Sequence, residues 1–593
     1  MRKILTLTTL LVSLSLPAVA QMTADQRLTD FQTLAALYAK RYGPANWKAE
    51  ALGVDTLNVK PWADRIRAAK DDLEYYQICA EFVARLQDGH SSFRIPSSFS
   101  ADLGLFTDLY DGKVLIESIN RIRYPLARFP FVVGDELVSI GGQPVEEIIT
   151  ELAKQRGVGT LRGTRRFAAD ALSFRSQVTY AKAVDLPDET DAVIKRASTG
   201  EEETFKLTWT KVGVPLRSVS PVPTPVFGVN PTGAVSSTED ADYQKAIRDY
   251  KTWALDAREI EMRESRKHLD DSGESISRNY ILGWGGRLPY YGPPPGFVTR
   301  RGLANTDNFL TGTYASEGKR IGLIRIPNFA PASSVAAVNE FSTEVAFMKA
   351  NTDALIVDVS RNTGGGCIGL DYAQRLIPRE FTFFTEYLRP TQSLINSYES
   401  IVRQAKAANA EQWVIDVWDF QLKAVQESAT ANRAMTGALP ACFLAVSPTF
   451  PAPSDQWPAL RDNNNQLVAY DKPIVFLADE LSVSFGDIFP AMMQDNKRGP
   501  IVGMRTGGWG GSISGWTVGF YSEATSSVTN SLVIRTTPAS APGLPTAPVI
   551  ENLGVIPDIE LDYMTRDNLM MNGRPFIDAV TRIVLDEIAK AGQ

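Results

Sequence analysis

From Arg320 onward the chain alternates strand-like apolar runs with segments of helical period, and this pattern constrains its fold more than any other feature. IGLIRI precedes a helical pattern over Val335 to Lys349. ALIVDVS, a glycine turn and a second helical pattern follow, and IVFLA comes later. Repeated βα units predict a largely parallel or mixed sheet with flanking helices. In the last unit, KPIVFLADELSVSFGDIFPAMMQD, an apolar run from Ile474 to Ala478 leads into two serines. Phe485, Ile488, Phe489 and Met492 then recur on one helical face. Ser484, at the turn, is an N-cap, a loop residue or a nucleophile. Pro490 favours a helix starting near Asp487, because proline is tolerated only in the first turn.

The rest of the chain divides by composition. Residues 21–98 are rich in helix formers and read as a helical domain ending near Gly89. Residues 99–214 change to short apolar runs, including PFVVGDELVSIGGQPVEEIITEL, which predicts a strand, a turn at Gly141-Gly142 and a short amphipathic helix. Residues 215–305 form a Pro/Gly-rich insertion around a charged helical run. The α/β core spans 306–593, with a helical insertion near 392–435. The first twenty residues, MRKILTLTTLLVSLSLPAVA, have the basic start, apolar stretch and Ala-x-Ala end of a leader cleaved after Ala20, so a periplasmic or secreted protein is expected. No later stretch approaches the length of a membrane span.

Composition narrows the chemistry. Losing Arg2 and Lys3 with the leader takes the net charge from −7 to about −9, which argues against nucleic acid as a partner. Three cysteines, Cys79, Cys367 and Cys442, allow one pair but no disulfide framework. With two histidines and no CxxC or HExxH spacing, no metal site is expected. Gly364 to Gly369 formally match GxGxxG after a strand. That leaves a nucleotide-dependent enzyme as one alternative, tight turning as another, and N–H groups facing an oxyanion as a third. If a serine needs an imidazole base, His90 in LQDGHSSF is the candidate, because His268 lies in a charged run.

Several motifs together carry a family resemblance. SVSFGDIFPAMMQD resembles the serine segment of tail-specific (C-terminal processing) proteases, with Ser484 rather than Ser482 at the nucleophile position and Asp487 where the family has Glu. DALIVDVSRNTGG resembles its strand and Asn-x-Gly-Gly loop, LGLF with VVGDELVSIGGQPV resembles a PDZ domain, and ENLGVIPDIEL resembles the closing GVxPD motif. The family's lysine position holds Trp509, in TGGWGG. The chain is thus more similar to the tricorn-core branch, which pairs serine with histidine and glutamate.

The resemblance implies a crotonase/ClpP-like α/β core with a PDZ-like β-rich domain and an N-terminal helical domain. It implies an exported serine endopeptidase that acts on peptides or unfolded proteins and needs no cofactor. Ser484 would be the nucleophile, His90 the base and Glu551 the orienting carboxylate, with Asp88 in reserve. Backbone N–H groups of Phe485 and of Gly364 or Gly365 would form the oxyanion hole. Leu103, Gly104, Leu105 and Phe106 would receive a peptide C-terminus. Gly89 stands where tricorn protease has a further serine. A catalytically inactive peptide-binding scaffold of the same fold is the remaining alternative.

Overall fold

The structure, a computed structural model, describes residues 21–219, 284–304, 306–442 and 456–592. The leader, the charged run and His268 lie outside these residues.

The α/β core is built on a sheet of seven described strands, in the order Val298–Arg301, Leu310–Ser316, Lys319–Arg325, Ala354–Asp358, Ile474–Ala478, Ile501–Gly503 and Ile559–Glu560. The first pairings are antiparallel, and from Lys319–Arg325 onward all are parallel. Ala354–Asp358 and Ile474–Ala478 are buried along their whole length, as central strands covered on both faces must be. One face packs Phe341, Val345, Phe485 and Phe489, and the other packs Phe576, Ile577, Val580 and Val584 of the helix Arg574–Ala591.

Four helices open the described chain: α1 (Ala24–Arg41), α2 (Ala45–Leu52), α3 (Lys60–Ala68) and α4 (Asp72–Ala84). Thr23 closes a capping box on α1, and Asp71 caps α4. Their core runs on into Val518, Ala524 and Val528 from the far end of the sequence. Just after α4, strand Ser92–Arg94 pairs antiparallel with Thr525–Thr529, opposing Ser92 to Ser527. The N-terminal helices are therefore sewn onto the core.

A second sheet joins Leu105–Tyr110, Lys113–Ile119, Glu136–Ile140, Glu189–Lys195 and Glu202–Thr208 in that order. Gly141 and Gly142 turn with φ of 58° and 78° before the helix Val145–Ala153. Helices Gln392–Ala407 and Gln412–Thr430 pack on each other around Ile401, Val414 and Trp418. A disulfide joins Cys367, at the end of the glycine loop, to Cys442, while Cys79 is a buried thiol. Among the described residues no helix is long and apolar enough to cross a membrane.

The serine helix differs from the sequence expectation. It starts at Phe485, not near Asp487, and runs to Asp495 with Pro490 inside it. Proline here removes one backbone bond, but Phe485, Ile488, Phe489 and Met492 are all buried in the core, and tertiary packing outweighs that local loss.

Candidate active site

Strand Ile474–Ala478 ends in a tight turn that delivers Ser484 to the helix start. Ser482 builds this turn: its buried hydroxyl donates to the Val359 carbonyl (2.8 Å) and accepts the Asp479 N–H (3.0 Å). Ser484 is different. It sits at φ 58°, ψ −122° with no capping bond from its side chain. Such a backbone costs on the order of 1–3 kcal/mol in a non-glycine residue, so the surroundings must impose it. The Val483 N–H donates to the Asn362 carbonyl (2.9 Å) and the Gly507 N–H to the Ser482 carbonyl (2.9 Å), clamping the turn from two sides.

The glycine loop lies directly against this serine. A Cβ on Gly364 would fall 2.4 Å from the Ser484 Cβ and 2.9 Å from its Oγ, and one on Gly365 would fall 2.3 Å from the Phe329 backbone. The loop's composition follows from these contacts. The Gly364 N–H is taken by Asn362 Oδ1 (2.7 Å) and the Gly366 N–H by the Phe329 carbonyl (2.9 Å). Among the described residues the Gly365 and Phe485 N–H groups have no acceptor, so Gly365 rather than Gly364 is the glycine with a donor to offer.

His90 arrives from the N-terminal unit. The Ser527 hydroxyl donates to its carbonyl (2.7 Å), and its own N–H donates to Asp88 Oδ1 (2.9 Å). The imidazole is buried edge-on to the Trp509 ring at 5.9 Å, and its Nδ1 has no partner among the described residues. Burial holds its pKa below the usual 6.5, with Asp88 pulling the other way. The Asp88 carboxylate is committed to the turn, accepting from the His90 and Ser91 N–H groups and from the Ser91 and Thr529 hydroxyls.

Trp509 links two departures, one from the tail-specific pattern and one from tricorn protease. It occupies the lysine position, and a Cβ at residue 89 would lie 2.0 Å from its ring. Gly89 is the residue that leaves room for the indole. Asp487 anchors the same loop to the serine helix, accepting from the Thr506 hydroxyl and from the Gly508 (2.7 Å) and Trp509 (3.0 Å) N–H groups. Burial pushes its carboxyl up to about 7.

Glu551 is fully buried. Its Oε2 accepts the Gly510 N–H (2.9 Å), and its Oε1 accepts from the ammonium of Lys48 on α2 rather than from His90. Burial foremost, then the Asp88 carboxylate, pushes Glu551 up to about 8, against the pull of Lys48. Sequence reasoning missed Lys48, because a lysine in an ordinary helical stretch carries no local mark of a partner five hundred residues away.

The PDZ-like loop departs from expectation as well. The Leu103 N–H donates to the Ser173 carbonyl (2.8 Å) and the Gly104 N–H to Asp102 Oδ1 (2.7 Å), while Leu103 and Leu105 are wholly buried. Phe106 pairs with Ser118 in the sheet. Two of the donors assigned to a peptide carboxylate are thus already used within the domain. Among the described residues no group of His, Cys, Asp and Glu side chains converges as a metal site would.

These features define an α/β core with a strained serine turn at a helix start, joined to a second, β-rich domain. Residues 320–561 match peptidase family S41 and residues 100–215 match a PDZ domain, so the chain carries an S41 peptidase domain and a PDZ domain. It is similar to a protein of Chlamydia trachomatis serovar D, 24% identical over 604 residues, covering 95% of this chain and 93% of that one. An uncharacterized protein of Chlamydia muridarum is 24% identical over 601 residues with the same coverage. Among solved structures, mature CPAF matches with a TM-score of 0.69 at 20% identity, covering 96% of this chain and 99% of that one. Mature CPAF complexed with lactacystin matches with a TM-score of 0.67 at the same identity and coverage. The fold is accordingly a crotonase/ClpP-like α/β core with a PDZ β domain and N-terminal helices.

Proposed function

We propose that this protein is an exported serine endopeptidase that hydrolyses peptide bonds in peptides or unfolded proteins. The observation that carries the reading is Ser484, held in a strained turn at a helix start with its hydroxyl excluded from capping. Its Oγ attacks the substrate carbonyl while His90, kept neutral by burial, takes its proton. The tetrahedral oxyanion is received by the Phe485 and Gly365 N–H groups at the positive end of the helix dipole. His90 then returns the proton to the leaving amine, and water resolves the acyl-enzyme through the same groups in reverse. Glu551 stabilises the imidazolium that forms in each half-reaction. The structure holds no hydrogen bond from His90 to Ser484 or Glu551, and on this reading both form in the substrate complex, as catalytic hydrogen bonds can. The PDZ domain supports binding of extended peptide, and the leader supports a periplasmic or secreted location.

The test is degradation of an unfolded protein by wild type, Ser484→Ala and His90→Ala, with fluorophosphonate labelling of each. Wild type should cleave and label at Ser484, and each variant should lose turnover by more than about 10³-fold with the fold retained. Lactacystin, which mature CPAF binds, is a second probe of the site. Wild-type protein that neither labels nor cleaves would favour an inactive peptide-binding scaffold.

A further inference from the structure

Lys48 has no part in the mechanism above, yet it is among the most completely buried charged groups in the protein, with no exposed side-chain surface. Its ammonium meets three acceptors: a Glu551 carboxylate oxygen, Asn552 Oδ1 at 2.6 Å and the Gln87 carbonyl at 3.2 Å. An ammonium has three protons, so this set satisfies it completely. Asn552 completes the knot, its Nδ2 donating to the carbonyls of Gln87 and Gly159, both at 2.8 Å, while its Oδ1 also accepts the Trp47 indole N–H at 3.2 Å. Gln87 lies three residues before His90. One lysine on α2 thus ties the turn leading into His90 to the turn that carries Glu551.

Stability alone gives a weak reason for this arrangement. Taking two charges out of water costs several kcal/mol per ion, and well-packed apolar residues of similar volume generally serve a fold as well or better. A purpose at the site accounts for it better. We propose, on the serine-peptidase reading given above, that Lys48 is a positioning residue that acts through Glu551, fixing that carboxylate and the His90 turn against one another. The charged and titratable groups around Glu551 are Lys48, Asp88 and Tyr42. Burial and Asp88 both favour the protonated acid, and Lys48 is the foremost group that favours the carboxylate. Without the ammonium, the buried Glu551 faces Asp88 with its main opposing charge gone, so the carboxylate that stabilises an imidazolium is populated less at any given pH.

The experiment compares wild type, Lys48→Met, Glu551→Gln and the double variant in the full mature chain, with kcat and KM for a quenched fluorescent peptide measured from pH 5.5 to 10 and Ser484→Ala as the blank. Lys48→Met should lower kcat about tenfold or more at pH 7.5 with KM little changed. The acid limb of its rate profile should move about one unit or more to the alkaline side, one unit being tenfold in proton affinity. Glu551→Gln should be slow at every pH, with no alkaline recovery. The double variant leaves no unpaired charge buried, so it remains informative even if Lys48→Met folds poorly. Its kcat should match that of Glu551→Gln within about twofold, because a residue acting only through Glu551 has nothing left to act on. An unshifted rate profile in Lys48→Met, or a further large loss in the double variant, overturns the proposal while the peptidase reading stands. Wild type no faster than Ser484→Ala overturns both.

Discussion

Replacing Gly89 by serine would restore the residue that the tricorn branch carries before its histidine, and the structure sets the outcome. The new Cβ would stand 2.0 Å from two ring atoms of Trp509, so the indole must retreat by about 1.4 Å to reach ordinary contact at 3.4 Å. It has nowhere to go. Trp284 stands 5.8 Å from its ring centre, Phe167 6.2 Å and His90 5.9 Å, and Gly159 presses close to the ring as well. Overpacking a filled site costs typically 1–3 kcal/mol and occasionally more, and this displacement belongs at or above the upper end, about 3 kcal/mol. Trp509→Ala alone should cost about 3–5 kcal/mol by opening a cavity. Simple additivity would then put the double variant about 6–8 kcal/mol down. If the clash is the cause, the double variant instead loses no more than Trp509→Ala alone, a coupling of about 3 kcal/mol. Urea denaturation followed by far-UV circular dichroism on the four proteins measures this directly. A Gly89→Ser variant within about 0.5 kcal/mol of wild type, or additive losses, would refute the steric account.

Three further outcomes are expected. Ser482→Ala should destabilise the fold by about 1–3 kcal/mol, because it leaves the Asp479 N–H and Val359 carbonyl without their buried partner, while fluorophosphonate labelling at Ser484 persists. Substituting both Cys367 and Cys442 by serine opens a loop with a sequence separation of 75 and should cost about 4.5 kcal/mol in the chain-entropy account, read as a lower urea midpoint. Asp487 has a folded pKa of about 7 against 3.8 when free, so the native state holds a proton that the unfolded chain has released. Its contribution therefore falls as pH rises from about 4 to about 7, and Asp487→Asn should flatten the decline in Tm over that window.

Local order was legible where physical cause and sequence lie close together. The βα alternation, the run from strand to serine to helix, and the turn at Gly141-Gly142 each rest on periodicity or backbone chirality within a few residues. The glycine loop was recognisable as a loop, but not why it needed glycine. The reasons, Ser484 against Gly364 and Phe329 against Gly365, belong to segments brought together by parallel strand pairing. Pro490 misplaced the helix start because a local rule was weighed without the buried face that overrides it. Lys48, Asn552 and Gln87 carried no sequence signal as a group, since a buried polar knot exists only once α2 is docked.

On the proposed reading, tryptophan at residue 509, where tail-specific proteases carry lysine, changes where the site gets its proton chemistry, and the fold bears the consequence. A lysine base beside the serine could be supplied by the α/β core alone. With Trp509 in its place, the remaining described imidazole belongs to a segment over 390 residues earlier in the chain, and it must be held firmly enough to serve. Strand pairing from Ser92 to Arg94, the Ser527 bond to the His90 carbonyl and the Thr529 bond to Asp88 supply that hold. Trp509 itself lies against the imidazole and helps exclude water from it. Lys48 and Asn552 close the same junction from the carboxylate side. On this reading the N-terminal helices are part of the site rather than an appendage, because His90 and Lys48 both come to it from the N-terminal side of the interface with the core.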